Sequence, residues 1–341
     1  MVNRMNIRDI ADIAGVGVST VSRVINNHPD VKVSTREKVL KIIEEYNYIP
    51  NNSARVLKKA NTNYIGLLVK GIYNPFFYEM INIIGSIIAS AGYSMLYEQG
   101  DYKIYQDVDN IISFSNEKKL RGVICLGGNF IDLTDESFSS LNIPVVLTSV
   151  NTVSKLGKKT YSSVGIDNVK AAYEATSYLI ELGHKNIAII LGKDDDMGAT
   201  WWRFNGYKKA LAEHNINLKE EYILVGEYES EKSYEVTKKL LQEDNDVTAI
   251  FALSDIMAVG CARAVVDSNL KLGKDISLVG FDGLDYSKFY TPAITTVKQP
   301  RKLMAETSAK LLLSLIKNET ENEHILLDTK LIKRESCNKI L

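Results

Sequence analysis

The chain has 341 residues, 45% hydrophobic and 24% charged, which excludes a disordered polypeptide and suggests two or three domains. No apolar run reaches the ~18–20 residues of a membrane span, the charged opening is unlike an export signal, and three scattered cysteines without a CxxC pair argue against a disulfide framework or zinc site, so a cytoplasmic location is expected. The net charge of −1 taken whole points away from nucleic acid, yet residues 1–60 hold ten Lys/Arg against six Asp/Glu, a basic +4 head on a remainder of −5.

Ile7, Ile10, Ala11 and Ala14 recur every three or four residues and predict a helix with one apolar face. Gly15 supplies its stop, and Val16 a plug in the turn. Residues 19–26 predict a second short helix, with Val21, Val24 and Ile25 inward and Ser19, Ser22 and Arg23 outward. Two short helices around a glycine turn form a helix-turn-helix, whose second helix enters the major groove. A third helix is expected from Ser34 as cap with Glu37 completing a capping box, and Pro50 ends the unit.

The stretches Ile7-Arg8-Asp9-Ile10-Ala11, Ala14-Gly15-Val16, Thr20-Val21-Ser22-Arg23-Val24-Ile25-Asn26 and Ser34-Thr35-Arg36-Glu37-Lys38-Val39 resemble the DNA-binding head of the lac repressor/galactose repressor family. Tyr46-Asn47-Tyr48-Ile49-Pro50-Asn51 and Ala54-Arg55-Val56-Leu57 continue the match. The resemblance implies that Val18, Ser19 and Arg23 read base edges, with Arg23 donating two hydrogen bonds to a guanine. Thr20, Ser22 and Asn26 fall at phosphate-contacting positions. Gly17 stands where a serine is usual, which keeps the helix start but removes one phosphate contact. Residues 51–61 match the family's hinge: Asn52, Ala54, Arg55 and Leu57 are implied to order on DNA, with Leu57 as the wedge in the minor groove.

From Tyr64 the pattern alternates between strands and helices. Strands are predicted at residues 64–69, 93–97, 122–126, 144–147, 186–191, 223–225, 249–253 and 276–280, with a helix over 75–90 and others between the rest. Repeated βα units mean parallel sheets covered by helices, and the length and restart of the pattern suggest two lobes. The fold class is thus a small all-α helix-turn-helix head plus an α/β body. By resemblance the body is periplasmic-binding-protein-like, with two doubly wound parallel-sheet lobes joined by three crossings around a cleft. The expected organisation is residues 1–50 as head, 51–61 as hinge and 62–341 as body. Lobe 1 spans approximately 62–162 and 293–323; lobe 2 spans 163–292 and 324–341.

Ligands of such sheets bind beyond the carboxyl ends of the strands. Asn74, Phe76, Ser149, Trp202, Arg203, Ser254, Asp255 and Asp282 fall at such positions or match the family's ligand contacts. Arg203 matches a ligand-clamping arginine, and Asp282 the strongest effector contact. Ser149 stands where many relatives carry an acid. Of Phe76 and Phe77, one is expected in the core; of Trp201 and Trp202, one in the cleft. Ser254 and Asp255 fit equally well as caps of the next helix.

The implied function is a ligand-responsive transcription regulator, most simply a repressor. It is expected to act as a homodimer on near-palindromic double-stranded operator DNA, with a mono- or disaccharide as effector and no cofactor, metal or membrane. Alternatives are a purine-, nucleoside- or protein-partner-controlled regulator of the same kind, a transport-type sugar-binding protein, or an α/β enzyme. Walker, HExxH, GxSxG and dinucleotide motifs are missing, and the four histidines are unclustered, with His184 best read as structural.

Overall fold

In the computed structural model the chain divides into two compact units, Met1–Thr62 and Asn63–Leu341. The structure describes residues 5–25, 28–46, 48, 63–70, 75–100, 107–130, 133–150, 160–193, 198–243 and 246–340. Asn26, the hinge residues Asn52, Ala54, Arg55 and Leu57, and Asn74 lie outside them.

The first unit opens with α1 (Ile7–Ala14). Asn6 caps it: its side chain accepts from the N–H groups of Arg8 and Asp9 while the Asp9 carboxylate accepts from the Asn6 N–H at 2.7 Å. Gly15, in the left-handed region at φ 66°, closes the helix. The carbonyl of Gly17 receives the Thr20 and Val21 N–H groups and starts α2 (Val18–Ile25). The third helix, α3, spans Val33–Glu45. Ser34 does not cap it as expected. The N–H groups of Thr35 and Arg36 both close on the Lys32 carbonyl, so Ser34 already lies inside the first turn. Ile10, Ala11, Ala14, Val21, Val24, Val39 and Ile42 form the shared core, with Val16 packed against it.

The second unit holds two six-stranded sheets. In chain order the first-lobe elements are β1 (Tyr64–Lys70), α4 (Phe76–Ser90), β2 (Ser94–Gly100), α5 (Asp107–Lys118), β3 (Gly122–Leu126), β4 (Val145–Thr148) and β5 (Ser162–Ile166). The second-lobe elements are α6 (Asn168–Glu181), β6 (Ile187–Leu191), α7 (Ala199–Glu213), β7 (Ile223–Val225), α8 (Ser230–Glu243), β8 (Ala249–Ala252), α9 (Asp255–Asp267), β9 (Ser277–Asp282), α10 (Asp285–Phe289) and β10 (Thr295–Lys298). Then follow α11 (Arg301–Ile316), β11 (His324–Leu327) and β12 (Lys330–Ile332). The sheet orders are β11-β5-β4-β3-β1-β2 and β12-β10-β9-β8-β6-β7. All pairs are parallel except β10 with β12. Each sheet is thus doubly wound, with its strand order reversing at β1/β3 and at β6/β8. The central strands are buried along their whole length, as near-continuous apolar runs require.

The lobe boundaries differ from the sequence expectation. Residues 162–166 pair with β4, so the first crossing follows Ile166 rather than Ser162. Residues 295–298 pair with β9 and belong to the second sheet, whereas 324–327 pair with β5 and belong to the first. The chain therefore crosses at 166–168, 298–301 and 327–330. An apolar strand fits either sheet by its side-chain pattern; backbone pairing with a distant neighbour decides which one it joins.

Candidate functional site

On the first unit, α2 turns Val21 and Val24 inward and leaves Val18, 41% exposed, together with Ser19 and Arg23 facing solvent. Thr20 and Ser22 are half-buried at its flank. A helix with an anchored apolar side and an exposed face of small, hydroxyl and guanidinium groups suits a nucleic-acid groove. Arg23 does not stand alone: its Nη1 donates to Asp30 Oδ2 at 2.9 Å.

On the second unit, the carboxyl ends of β9 and β10 bring Asp282 and Gln299 together. Asp282 is 1% exposed and has φ 113°, a conformation that residues with a Cβ rarely adopt. Its Oδ1 accepts from Gln299 Nε2 at 2.8 Å. Among the described residues, Asp282 Oδ2 and Gln299 Oε1 are buried acceptors with no protein donor. Two such orphaned acceptors side by side require an explanation, and a ligand's hydroxyl groups supply one. Arg203, on α7, is 5% exposed; its Nε donates to Asn168 Oδ1 at 2.9 Å and its Nη1 to the Leu253 carbonyl at 2.7 Å. Its guanidinium lies 3.7 Å over the Phe281 ring, so the residue before Asp282 helps to hold it.

Asp255 serves a different purpose from the one the sequence suggested. Both its oxygens are occupied: Oδ1 by Thr296 Oγ1 and Oδ2 by the Leu284 N–H, each at 2.6 Å. It braces the strand ends around Asp282. Ser254 caps α9 by accepting from the Met257 N–H. The cap reading therefore describes Ser254, and Asp255 acts as a brace.

Burial raises the Asp255 carboxyl from 3.8 to about 7, aided by the neighbouring Asp282 charge. Burial likewise raises Asp282 to about 6, opposed by Arg203 and Gln299. Both values exceed the unfolded one, so the native state keeps protons that the unfolded chain has released. Their stabilising contribution is complete below about 4 and is lost as pH rises through 6 and 7. Against the other carboxylates as background, Asp255→Asn will flatten the change in melting temperature between pH 5 and pH 8. A differential scan of both proteins checks this; an unchanged slope refutes it.

The remaining expected residues separate. Phe76 is 2% exposed and belongs to the same buried cluster as Met80 and Ile84, edge-on to Phe77. Because α4 carries both rings against its sheet, both are buried rather than one. Ser149 follows β4 half-buried at φ 60°, its N–H on the Val164 carbonyl. Trp202 is half-buried beside Arg203, while Trp201 is exposed, with the Lys208 ammonium 5.2 Å over its ring. His184 bridges Thr248 and the Asn338 carbonyl, a structural role.

The sequence reading missed Gln299 because it assigned residues 295–298 to the other lobe; with β10 beside β9, the residue after it adjoins Asp282. It also missed Asn168, the partner of Arg203. In the first lobe it passed over Lys70 at the end of β1 and Asp107 at the start of α5, which form a buried ion pair with the Asn129 N–H on Asp107 Oδ2. Among the described residues, no group of three or more His, Cys, Asp or Glu side chains is arranged to hold a metal ion. No described helix is long and apolar enough to cross a membrane.

A family profile described as "Bacterial regulatory proteins, lacI family" matches residues 6–51, and one described as "Periplasmic binding protein-like domain" matches residues 176–337. The chain is 61% identical over 333 residues to the HTH-type transcriptional regulator MalR of Clostridium butyricum, spanning 98% of this chain and 99% of that protein. Among solved structures it is similar to the transcriptional regulator CelR–cellobiose complex, with a TM-score of 0.70 and 29% identity over 98% of this chain and 100% of the other. It is also similar to the lac repressor dimer bound to operator and the anti-inducer ONPF, with a TM-score of 0.69 and 26% identity at the same coverage.

Proposed function

Since the chain belongs to the lacI family of bacterial regulatory proteins, and is therefore a DNA-binding transcriptional regulator and not an enzyme, we propose that its operator affinity is set by a sugar held at Asp282, Gln299 and Arg203. One observation carries the sugar reading: two unpartnered buried acceptors beside a guanidinium, at the carboxyl ends of doubly wound strands. Vicinal hydroxyl groups donate to such acceptors and accept from such an arginine. The cellobiose bound in the CelR complex supports the same class of ligand. Trp202 offers a face for a sugar ring, and Ser149 a polar contact from the first lobe.

The operator-bound lac repressor dimer supports a homodimer reading two half-sites of a near-palindrome. Val18, Ser19 and Arg23 read bases while Thr20, Ser22 and Asn26 meet phosphate. Residues 51–61, with Asn52, Ala54, Arg55 and Leu57, enter as hinge and wedge on their sequence alone. The effector acts by favouring one arrangement of the lobes, and its coupling to DNA is reciprocal.

A thermal-shift screen of mono- and disaccharides beside nucleobases tests the effector. The matching sugar at 100 times its Kd adds about 2.7 kcal/mol of stability, and Gln299→Ala removes most of that shift. A nucleobase that stabilises the protein while every sugar fails overturns the sugar reading. Operator affinity should fall steeply with salt, and affinity for an uncharged sugar should not.

A further inference from the structure

The turn between α2 and α3 ties three polar side chains together. Arg23 Nη1 donates to Asp30 Oδ2 at 2.9 Å, and His28 Nδ1 lies 2.7 Å from Asp30 Oδ1. Two further hydrogen bonds hold the His28 backbone. The His28 N–H donates to the Arg23 carbonyl at 2.9 Å, and the Arg36 guanidinium on α3 donates to the His28 carbonyl. Asp30, two residues after His28, thus reaches back to Arg23 on the exposed face of α2. We propose that Asp30 is a positioning residue that sets the pose of Arg23 and thereby the sharpness of base discrimination; this rests on the reading of Arg23 as a base-contacting residue.

Three arguments converge. Folding does not need the pair: Arg23 and Asp30 are both exposed and lie outside the head's core, and exposed ion pairs contribute little to stability. DNA affinity does not need it either, because a carboxylate on the groove-facing side of a basic head opposes the phosphate field. Discrimination does benefit. An unrestrained arginine spreads over many rotamers, and it must give up that freedom to place two N–H groups on a guanine edge. One of its five N–H donors is spent on Asp30, which leaves enough for the bidentate contact. His28, on the second oxygen, stops the carboxylate from rotating away.

The test uses the full-length protein and a duplex selected by it from a random pool, together with every single-base-pair variant of that duplex and an unrelated duplex. Arg23→Ala is expected to flatten preference at one base pair per half-site by about tenfold or more. Asp30→Ala is expected to reduce preference at that same base pair by about fivefold, to leave the other positions unchanged and to raise affinity for the unrelated duplex. In the Arg23→Ala background, Asp30→Ala should have no further effect on preference, and Asp30→Glu should restore part of it in the native background. Uniform change at all positions after Asp30→Ala, or unchanged preference at the Arg23 position, overturns the proposal. A flat response to Arg23→Ala itself overturns the base-contact reading and the proposal with it, so the two failures are told apart. Melting of each variant by circular dichroism separates these outcomes from unfolding.

Discussion

Asp282→Asn will abolish the response to effector while the protein still binds its operator and melts at a higher temperature than the wild type at pH 8. The substitution keeps the shape of the side chain, and asparagine tolerates positive φ better than most residues. It replaces the orphaned Oδ2 acceptor by an amide and removes the charge that a sugar hydroxyl would meet. Each hydrogen bond to a charged acceptor contributes about 1.5–3 kcal/mol, so the loss of one lowers effector affinity by about 10- to 100-fold and the loss of two by more. Stability moves the other way, because the ionised carboxylate is disfavoured in the fold, with its pKa raised to about 6. Removing that charge returns on the order of 1–3 kcal/mol at pH 8. A residue needed only for folding cannot give both results at once. Calorimetric titration with the sugar found by screening, beside operator binding by fluorescence anisotropy, checks the prediction; wild-type effector affinity would sink it. The same carboxylate makes effector affinity in the native protein rise as pH passes through 6.

Gly206→Val will unfold the body or leave it barely stable. Gly206 sits inside α7, where glycine costs about 1 kcal/mol relative to alanine. Close approach of α6 explains its presence. A Cβ here would lie 2.3 Å from the Val169 carbonyl oxygen and 2.9 Å from both the Ala172 Cβ and the Tyr173 nitrogen. Two of those atoms are backbone, so the helices must separate, and overpacking of this kind costs more than the usual ~1–3 kcal/mol. Gly206→Ala meets the same atoms with a smaller group and should lose about 2–4 kcal/mol. Gly92→Ala is the control: a Cβ there has nothing within 4 Å, leaving only the strain of φ 82°, about 1 kcal/mol. Arg203 lies one turn before Gly206 on the same helix, so Gly206→Ala should also weaken the effector through a displaced guanidinium. Melting temperatures and effector titrations of the three variants test both claims; near-wild-type stability of Gly206→Val would contradict the packing argument.

What could be read directly from the chain was local. The three-and-four spacing of Ile7, Ile10, Ala11 and Ala14, followed by Gly15, defines the first turn of the head without reference to any distant residue. The alternation of apolar strands and helices specifies doubly wound sheets for the same reason: each βα unit carries its own period. Arg203 and Asp282 stood out as candidates because their neighbourhoods repeat a family pattern. The expected cap of α3 was off by two residues, because Lys32 rather than Ser34 supplies the first accepting carbonyl.

Other features waited on contacts between segments far apart in the chain. Residues 295–298 and 324–327 are short apolar strands that suit either sheet, and only their hydrogen bonds to β9 and β5 assign them. Gln299 follows from that assignment, because it becomes a neighbour of Asp282 only once β10 lies beside β9. Asp255 became a brace for a related reason: the occupation of both its carboxylate oxygens is a property of the packed body. Helical periodicity and turns are set by interactions within a few residues, so the sequence alone determined the elements and the head. Strand pairing and the completion of a polar site are set by partners beyond local reach, 17 residues apart for Asp282 and Gln299 and 161 for His324 and Ser163, so the tertiary structure alone decided the lobe boundaries and the Asp282–Gln299 pair.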